Sequence, residues 1–116
     1  MDEQQAMQKL LSLLGLARRA GKLALGADAV TEAVQSGGAR LVVFSSDLSS
    51  RTSGAVARAA HRVLAVSLPA SMEEIGRAVG KRTGVTAVLD DGFARKMLEL
   101  GREAGAAVTM IGRDLP

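Results

Sequence analysis

The sequence predicts a three-layer α/β/α sandwich, and three observations lead there. Segments with apolar residues at helical spacing alternate with short runs rich in β-branched and apolar residues; those runs are continuous, and no internal repeat or low-complexity tract breaks the order. A continuous apolar run marks a strand covered on both faces, so helices must lie on either side of the sheet. With 116 residues, 47% of them apolar, the chain suits one compact domain, and a second would be too small to hold a core.

Residues 4–20 place Met7, Leu10, Leu11, Leu14 and Ala17 at helical spacing, with Gly15 a mild weakness and Gly21 a stop. Lys22 to Leu25 is at most a short strand. From Ala27, the positions Val30, Ala33 and Val34 predict a second helix, ended by Ser36-Gly37-Gly38. Arg40 to Ser45 reads as a strand, and Asp47-Leu48-Ser49-Ser50 supplies capping chemistry for a helix carrying Val56, Ala59, Ala60 and Val63. A strand from about Val63 to Leu68 ends at Pro69. Ser71-Met72-Glu73-Glu74 has capping-box spacing and opens a helix with Ile75, Ala78 and Val79, closed by Gly80 to Gly84. Val85 to Leu89 is a further strand, and Asp91 is the expected cap of a last helix that begins at Gly92. The Gly-broken tail, residues 101–116, holds a short strand at Val108–Ile111 and is set apart from a single domain over residues 1–100.

Composition narrows the function. Cysteine is absent and His61 is the one histidine, so a disulfide, a zinc cluster, a thiol nucleophile or an imidazole metal site lacks material; no metal and no cofactor are expected. The start, Met1-Asp2-Glu3-Gln4-Gln5, is acidic where a signal peptide is basic then apolar, and no run approaches the ~18 apolar residues of a membrane span. The reading is of a cytoplasmic protein without a membrane partner, and a monomer. Net charge is +3 with 15 Lys+Arg, mostly arginine, and the excess sits in the first two thirds. That is a mild bias toward nucleic acid. Two Phe and no Trp or Tyr remove the usual base-stacking platform, so nucleic-acid binding would rest on backbone amides, guanidinium groups and shape.

The stretch from Leu14 to Asp28 carries the strongest signal. It joins two helical segments through Gly21 and Gly26 and sets Arg18, Arg19 and Lys22 beside the junction. Gly26 permits a backbone angle other residues resist, and Asp28 can accept from the free amides of the following helix. A helix start with free N–H donors and a basic rim suits a phosphate-bearing ligand. Each element also has a plainer reading. Gly26 with Asp28 can be a turn and a cap, Arg18, Arg19 and Lys22 a solvated helix end, and Lys81 with Arg82 cations that satisfy the last carbonyls of a helix. Arg51, Arg58 and Arg62 read as a solvated face, and Asp90-Asp91 as a cap and not a catalytic pair.

Five blocks occur in a telling order: Leu14-Gly15-Leu16-Ala17-Arg18-Arg19-Ala20-Gly21-Lys22-Leu23, then Gly26, then Arg40-Leu41-Val42, then Ile75-Gly76-Arg77-Ala78-Val79-Gly80-Lys81, then Asp91-Gly92-Phe93-Ala94-Arg95-Lys96. Together they resemble the small bacterial YlxQ-type proteins of the L-seven-Ae/L-thirty-e ribosomal protein superfamily, over about residues 10–100. The resemblance implies a mixed, roughly four-stranded sheet between helical layers and a non-catalytic, cytoplasmic RNA-binding protein, associated with ribosomes, with ribosomal or other structured RNA and ribosomal proteins as partners. It also implies that Arg18, Arg19, Lys22, Gly26, Ala27, Asp28, Lys81 and Arg82 are the RNA-facing residues.

In the best understood members of the superfamily, the second helix reads kinked RNA through Gly-x-Asn-Glu-x-x-Lys. Gly26 matches that pattern, but Asp28 stands for Asn, Ala29 for Glu and Glu32 for Lys. Asp28 lacks the amide donor, Ala29 accepts nothing from a base edge, and Glu32 repels a phosphate that Lys would attract. The implied fold transfers; the implied kink-turn specificity does not. These losses leave a second expectation open, a protein-interaction module that has kept the fold without RNA reading.

Overall fold

The computed structural model describes residues 1–114; Leu115 and Pro116, the end of the expected tail, lie outside the described residues. The order of elements is α1 (Glu3–Arg19), β1 (Leu23–Leu25), α2 (Ala27–Ser36), β2 (Leu41–Phe44), α3 (Ser50–Ala59), β3 (Val63–Ser67), α4 (Met72–Val79), β4 (Val85–Val88), α5 (Asp91–Glu103) and β5 (Ala107–Ile111). The strands form one mixed sheet in the order β1-β4-β2-β3-β5. Among the strands of the described residues, β2 and β3 run parallel, joined through α3, and the other strand pairs are antiparallel; an isolated parallel bridge joins His61 to Arg113.

The alternation of side chains across the sheet fills two cores. On one face Leu41, Val43, Val66 and Val88 pack with Leu10 and Leu14 of α1, Ile75 of α4, and Met97 and Leu100 of α5. On the other, Val42, Phe44, Ala65, Val85 and Ala87 pack with Val30 and Val34 of α2 and Val56 of α3. The central strands β2 and β4 are buried at every position, as continuous apolar runs require. This is the expected α/β/α sandwich.

The sheet has five strands where roughly four were expected. The additional pairing comes from the segment set apart as a tail: β5 lies against β3 through Val63↔Ile111 to Ser67↔Ala107. Its signal in the sequence is weak because an edge strand is half solvated, and Ala107, Thr109 and Met110 are exposed.

Capping chemistry sets most helix starts. Asp2 and Ser71 each form a full capping box, with Gln5 and Glu74 respectively, and Ser49 accepts from the Thr52 amide. Two expected caps are displaced by one or two residues. Asp90, not Asp91, caps α5, with Oδ2 accepting from Phe93 N at 2.9 Å, while Asp91 pairs with Arg40 at 3.4 Å. Asp28 is not the cap of α2 either. That position belongs to Gly26, whose φ of 86° is left to glycine, and Asp28 sits in the first turn.

Candidate nucleic-acid interface

Two segments meet at one end of the sheet. The first runs from α1 through β1 to α2. Because β1 pairs antiparallel with β4, Leu25 lies beside Thr86 and the start of α2 arrives next to the start of β4. Gly26 N donates to Val85 O at 3.0 Å. No side chain caps the following turn, and Ala27, Asp28 and Ala29 are exposed, so the amide end of α2 opens to solvent. A Cβ placed on Gly26 would meet nothing within 4 Å. The mouth is therefore not walled in by the protein's own side chains.

The second segment is the turn from α4 into β4. Gly80 ends α4 in the left-handed region at φ 89°, and exposed Lys81 and Arg82 follow. Thr83 is buried and donates from Oγ1 to Val85 O at 2.9 Å. The Val85 carbonyl thus accepts from both Gly26 and Thr83, which fixes the basic turn against the helix mouth. Gly76 sets the height of that turn: a Cβ there would stand 2.7 Å from Arg82 Cα and 2.9 Å from Arg82 N. Only a glycine lets the Lys81-Arg82 backbone lie directly on α4.

A third loop braces the turn. Ser45 N donates to Gly84 O at 2.8 Å, and Asp47 Oδ1 accepts from Met72 N at 3.0 Å at the start of α4. The Ser45 hydroxyl beside Asp47, the Met72 amide bonded to it and, more weakly, the Arg82 charge hold the Asp47 carboxyl below its ordinary range. Ser45 Oγ itself is buried and meets no partner at full hydrogen-bond geometry.

The expected cations fall in four places. Lys81 and Arg82 are exposed on the turn that Thr83 and the Val85 carbonyl tie to the mouth. Arg18 reaches the end of α4 instead: its guanidinium donates to the carbonyl of Val79, the last residue of α4, and lies 2.9 Å from where a Cβ on Gly80 would stand. It ties the end of α1 to the end of α4, so its structural role there is definite. Arg19 turns into the depression between α1 and α4, beside Arg77. Lys22 stands at the far end of β1, where its carbonyl accepts from Leu89 N at 2.9 Å. Four residues of extended chain separate it from Gly26, roughly 13 Å, so it is not brought to the mouth.

Sequence reasoning passed over Arg77. The spacing Arg77, Lys81 puts both on one helical face leading into Arg82, and that was the available signal. Gly76 gave no signal, since its partner is a backbone six residues on and folded back.

Among the described residues no group of three or more His, Cys, Asp or Glu side chains could hold a metal ion, and no helix is long and apolar enough to cross a membrane.

Comparison with known proteins places this geometry. The model of the ribosomal protein L7Ae/L30e/S12e/Gadd45 family matches residues 8–98. The RNA-binding protein YlxQ of Bacillus subtilis (strain 168) is 37% identical over 90 residues, which is 76% of this chain and 90% of that protein. The RNA-binding protein YlxQ of Enterococcus faecium is 33% identical over 94 residues, 80% of this chain and 91% of the relative. Among solved structures, a protein of unknown function from Bacillus halodurans superposes with a TM-score of 0.69 at 37% identity, covering 82% of this chain and 98% of that one. The Giardia lamblia 15.5kD RNA binding protein superposes with a TM-score of 0.62 over 87% and 88% of the two chains; at 19% identity it shows the shared fold. With matches of this length and identity, the chain belongs to the ribosomal protein L7Ae/L30e/S12e/Gadd45 family, as one of its YlxQ-type bacterial members.

Proposed function

We propose that this protein is a non-catalytic RNA-binding protein that grips structured RNA at the open start of α2 and the adjoining basic turn. The observation that carries the reading is the shared Val85 carbonyl, which holds an uncapped helix start and the Lys81-Arg82 turn side by side. Free amides and the positive end of the α2 dipole meet phosphate oxygens, and Lys81 and Arg82 supply the surrounding charge. The names of the two YlxQ relatives support RNA as the ligand class. Ribosomal RNA in the cytoplasm, in the company of ribosomal proteins, is the setting this reading favours.

Specificity for a kink-turn is not part of the proposal. Asp28, Ala29 and Glu32 are all exposed along the first turns of α2, where the family pattern asks for a donor, an acceptor and a cation. The same three residues favour a second reading, in which this face binds a protein. A filter-binding titration on purified ribosomal RNA separates the two. The first reading expects affinity to fall steeply with salt, and Lys81→Glu with Arg82→Glu to abolish binding at moderate salt. Salt-independent binding, or full binding by the double variant, refutes it.

A further inference from the structure

A second basic surface lies beside the mouth without belonging to it. Helices α1 and α4 approach so closely at Gly15 that a Cβ there would stand 2.7 Å from the Ala78 carbonyl oxygen. Above this contact the helices diverge into an open saddle of about 540 Å³, lined among others by Gln8, Ser12, Leu16, Arg19 and Arg77. Arg77 also lines a neighbouring depression with Gly80, Lys81 and Arg82. Arg77 thus joins Arg19 in the saddle to Lys81 and Arg82 in the next depression, on the turn that Thr83 and the Val85 carbonyl tie to the start of α2.

None of these cations is in a salt bridge with a described residue, although Glu73 lines the second depression beside them and the Arg82 charge acts weakly on Asp47. The salt bridges among the described residues are Arg40–Asp91, Arg62–Asp114 and Lys96–Glu99, all elsewhere. Glu74, the carboxylate lining the saddle, is turned to Ser71 N at 3.1 Å in the capping box of α4. The apolar content is small: Leu16, at 45% exposure, is the large hydrophobic residue standing out of the saddle. An amphipathic partner helix needs several such anchors at helical spacing, whereas a polyanion needs spaced cations and hydroxyl or amide donors, which Gln8 and Ser12 provide.

We propose that the saddle is a second phosphate track, holding a backbone segment of the same RNA that flanks the segment at the α2 mouth. The inference rests on the RNA-binding reading. Its consequence is an RNA footprint that wraps across α4 to α1.

The test uses the full chain and purified bacterial ribosomal RNA in filter-binding titrations over a range of salt. Three double variants are compared: Arg19→Gln with Arg77→Gln in the saddle, Lys81→Gln with Arg82→Gln at the mouth, and Arg95→Gln with Arg102→Gln as an exposed control on α5. The saddle variant is expected to flatten the slope of log K against log salt by about 1.4 to 1.8 and so to weaken binding roughly 25-fold to 60-fold at 0.1 M salt, with the α5 control unchanged. Arg19→Lys with Arg77→Lys is expected to restore most of the loss, which damage to the fold would not allow. If the mouth variant weakens binding while the saddle variant matches the control, the track is refuted and the mouth stands. If neither variant weakens binding, both proposals fall. Should a polyglutamate peptide bind the saddle while RNA affinity ignores Arg19 and Arg77, the surface serves an acidic protein and the track is likewise refuted.

Discussion

Alanine substituted for Gly76 and for Gly54 makes the same chemical change in two helix interiors and should give opposite results. In a helix, Gly→Ala ordinarily stabilises by about 0.5–1 kcal/mol through the entropy of the unfolded chain. At Gly54 in α3 the new Cβ meets Arg58 Nη1 at 3.1 Å, the far end of a flexible side chain that swings aside. The gain should survive. At Gly76 the new Cβ stands 2.7 Å from Arg82 Cα, 2.9 Å from its N and 3.2 Å from Lys81 C, and relief to ordinary contact at 3.4 Å or more means moving a backbone by roughly 0.7–1 Å. That backbone is held by Gly80 on one side and by the buried Thr83 on the other, so overpacking should cost about 1–3 kcal/mol against the helix gain. The net is a loss of about 0.5–2 kcal/mol, read as a fall of about 3–10 °C in the thermal midpoint by circular dichroism. Amide resonances of residues 80–83 should shift in Gly76→Ala and stay in place in Gly54→Ala, and RNA affinity should drop only in the former. A stabilised Gly76→Ala protein, or one with unmoved loop resonances, refutes the claim that this glycine sets the position of the basic turn.

Arg18→Ala should cost about 1 kcal/mol by freeing the carbonyl end of α4, measurable by urea denaturation, yet leave the salt slope of RNA binding unchanged because Arg18 acts as a strut between helices. Asp47→Asn should lower the thermal midpoint at neutral pH. Since the folded Asp47 carboxyl titrates below its ordinary 3.8, its contribution is complete above that value and is lost as pH falls through the lowered one, so the gap to the native protein should close only in acid below 3.8. Asp90→Ala should cost about 1 kcal/mol, by calorimetry, through loss of the α5 cap. Asp91→Ala, which removes an exposed pair, should change stability by less than about 0.5 kcal/mol.

The layers of the fold were legible because each rests on local chemistry. The run Leu41-Val42-Val43-Phe44 has no polar face to give to solvent, and the Ser71 and Glu74 pair states where α4 begins. What failed locally failed for stated reasons. Either Asp90 or Asp91 could cap α5, and the choice falls to Asp90 because the chain leaves β4 in extended conformation there, with φ −124° and ψ 132°. The edge strand β5 carries a half-solvated pattern, so its pairing with β3 is decided by the sheet and not by its own residues.

The proposed site rests on residues whose kind the sequence shows and whose arrangement it does not. Cations near a glycine-led helix start could be counted in the sequence; which of them share a surface depends on contacts between remote segments. The short strand β1 carries Lys22 away from the mouth, and Arg18, four residues earlier, is drawn to the carbonyl end of α4. Gly15 and Gly76 matter through what they exclude, since a Cβ on each would stand 2.7 Å from a backbone atom, Ala78 O or Arg82 Cα. An absent atom leaves no pattern in a single sequence. The same contacts bear on recognition: the backbone of the basic turn is seated directly on α4 at Gly76 and tied through Thr83 to the shared Val85 carbonyl, while the α2 side chains that read bases in kink-turn relatives are replaced. A rigid frame of amides and cations with few base-reading groups discriminates by the spacing of phosphates, and on the proposed reading the selectivity of this protein should follow the shape of the RNA backbone more than its sequence.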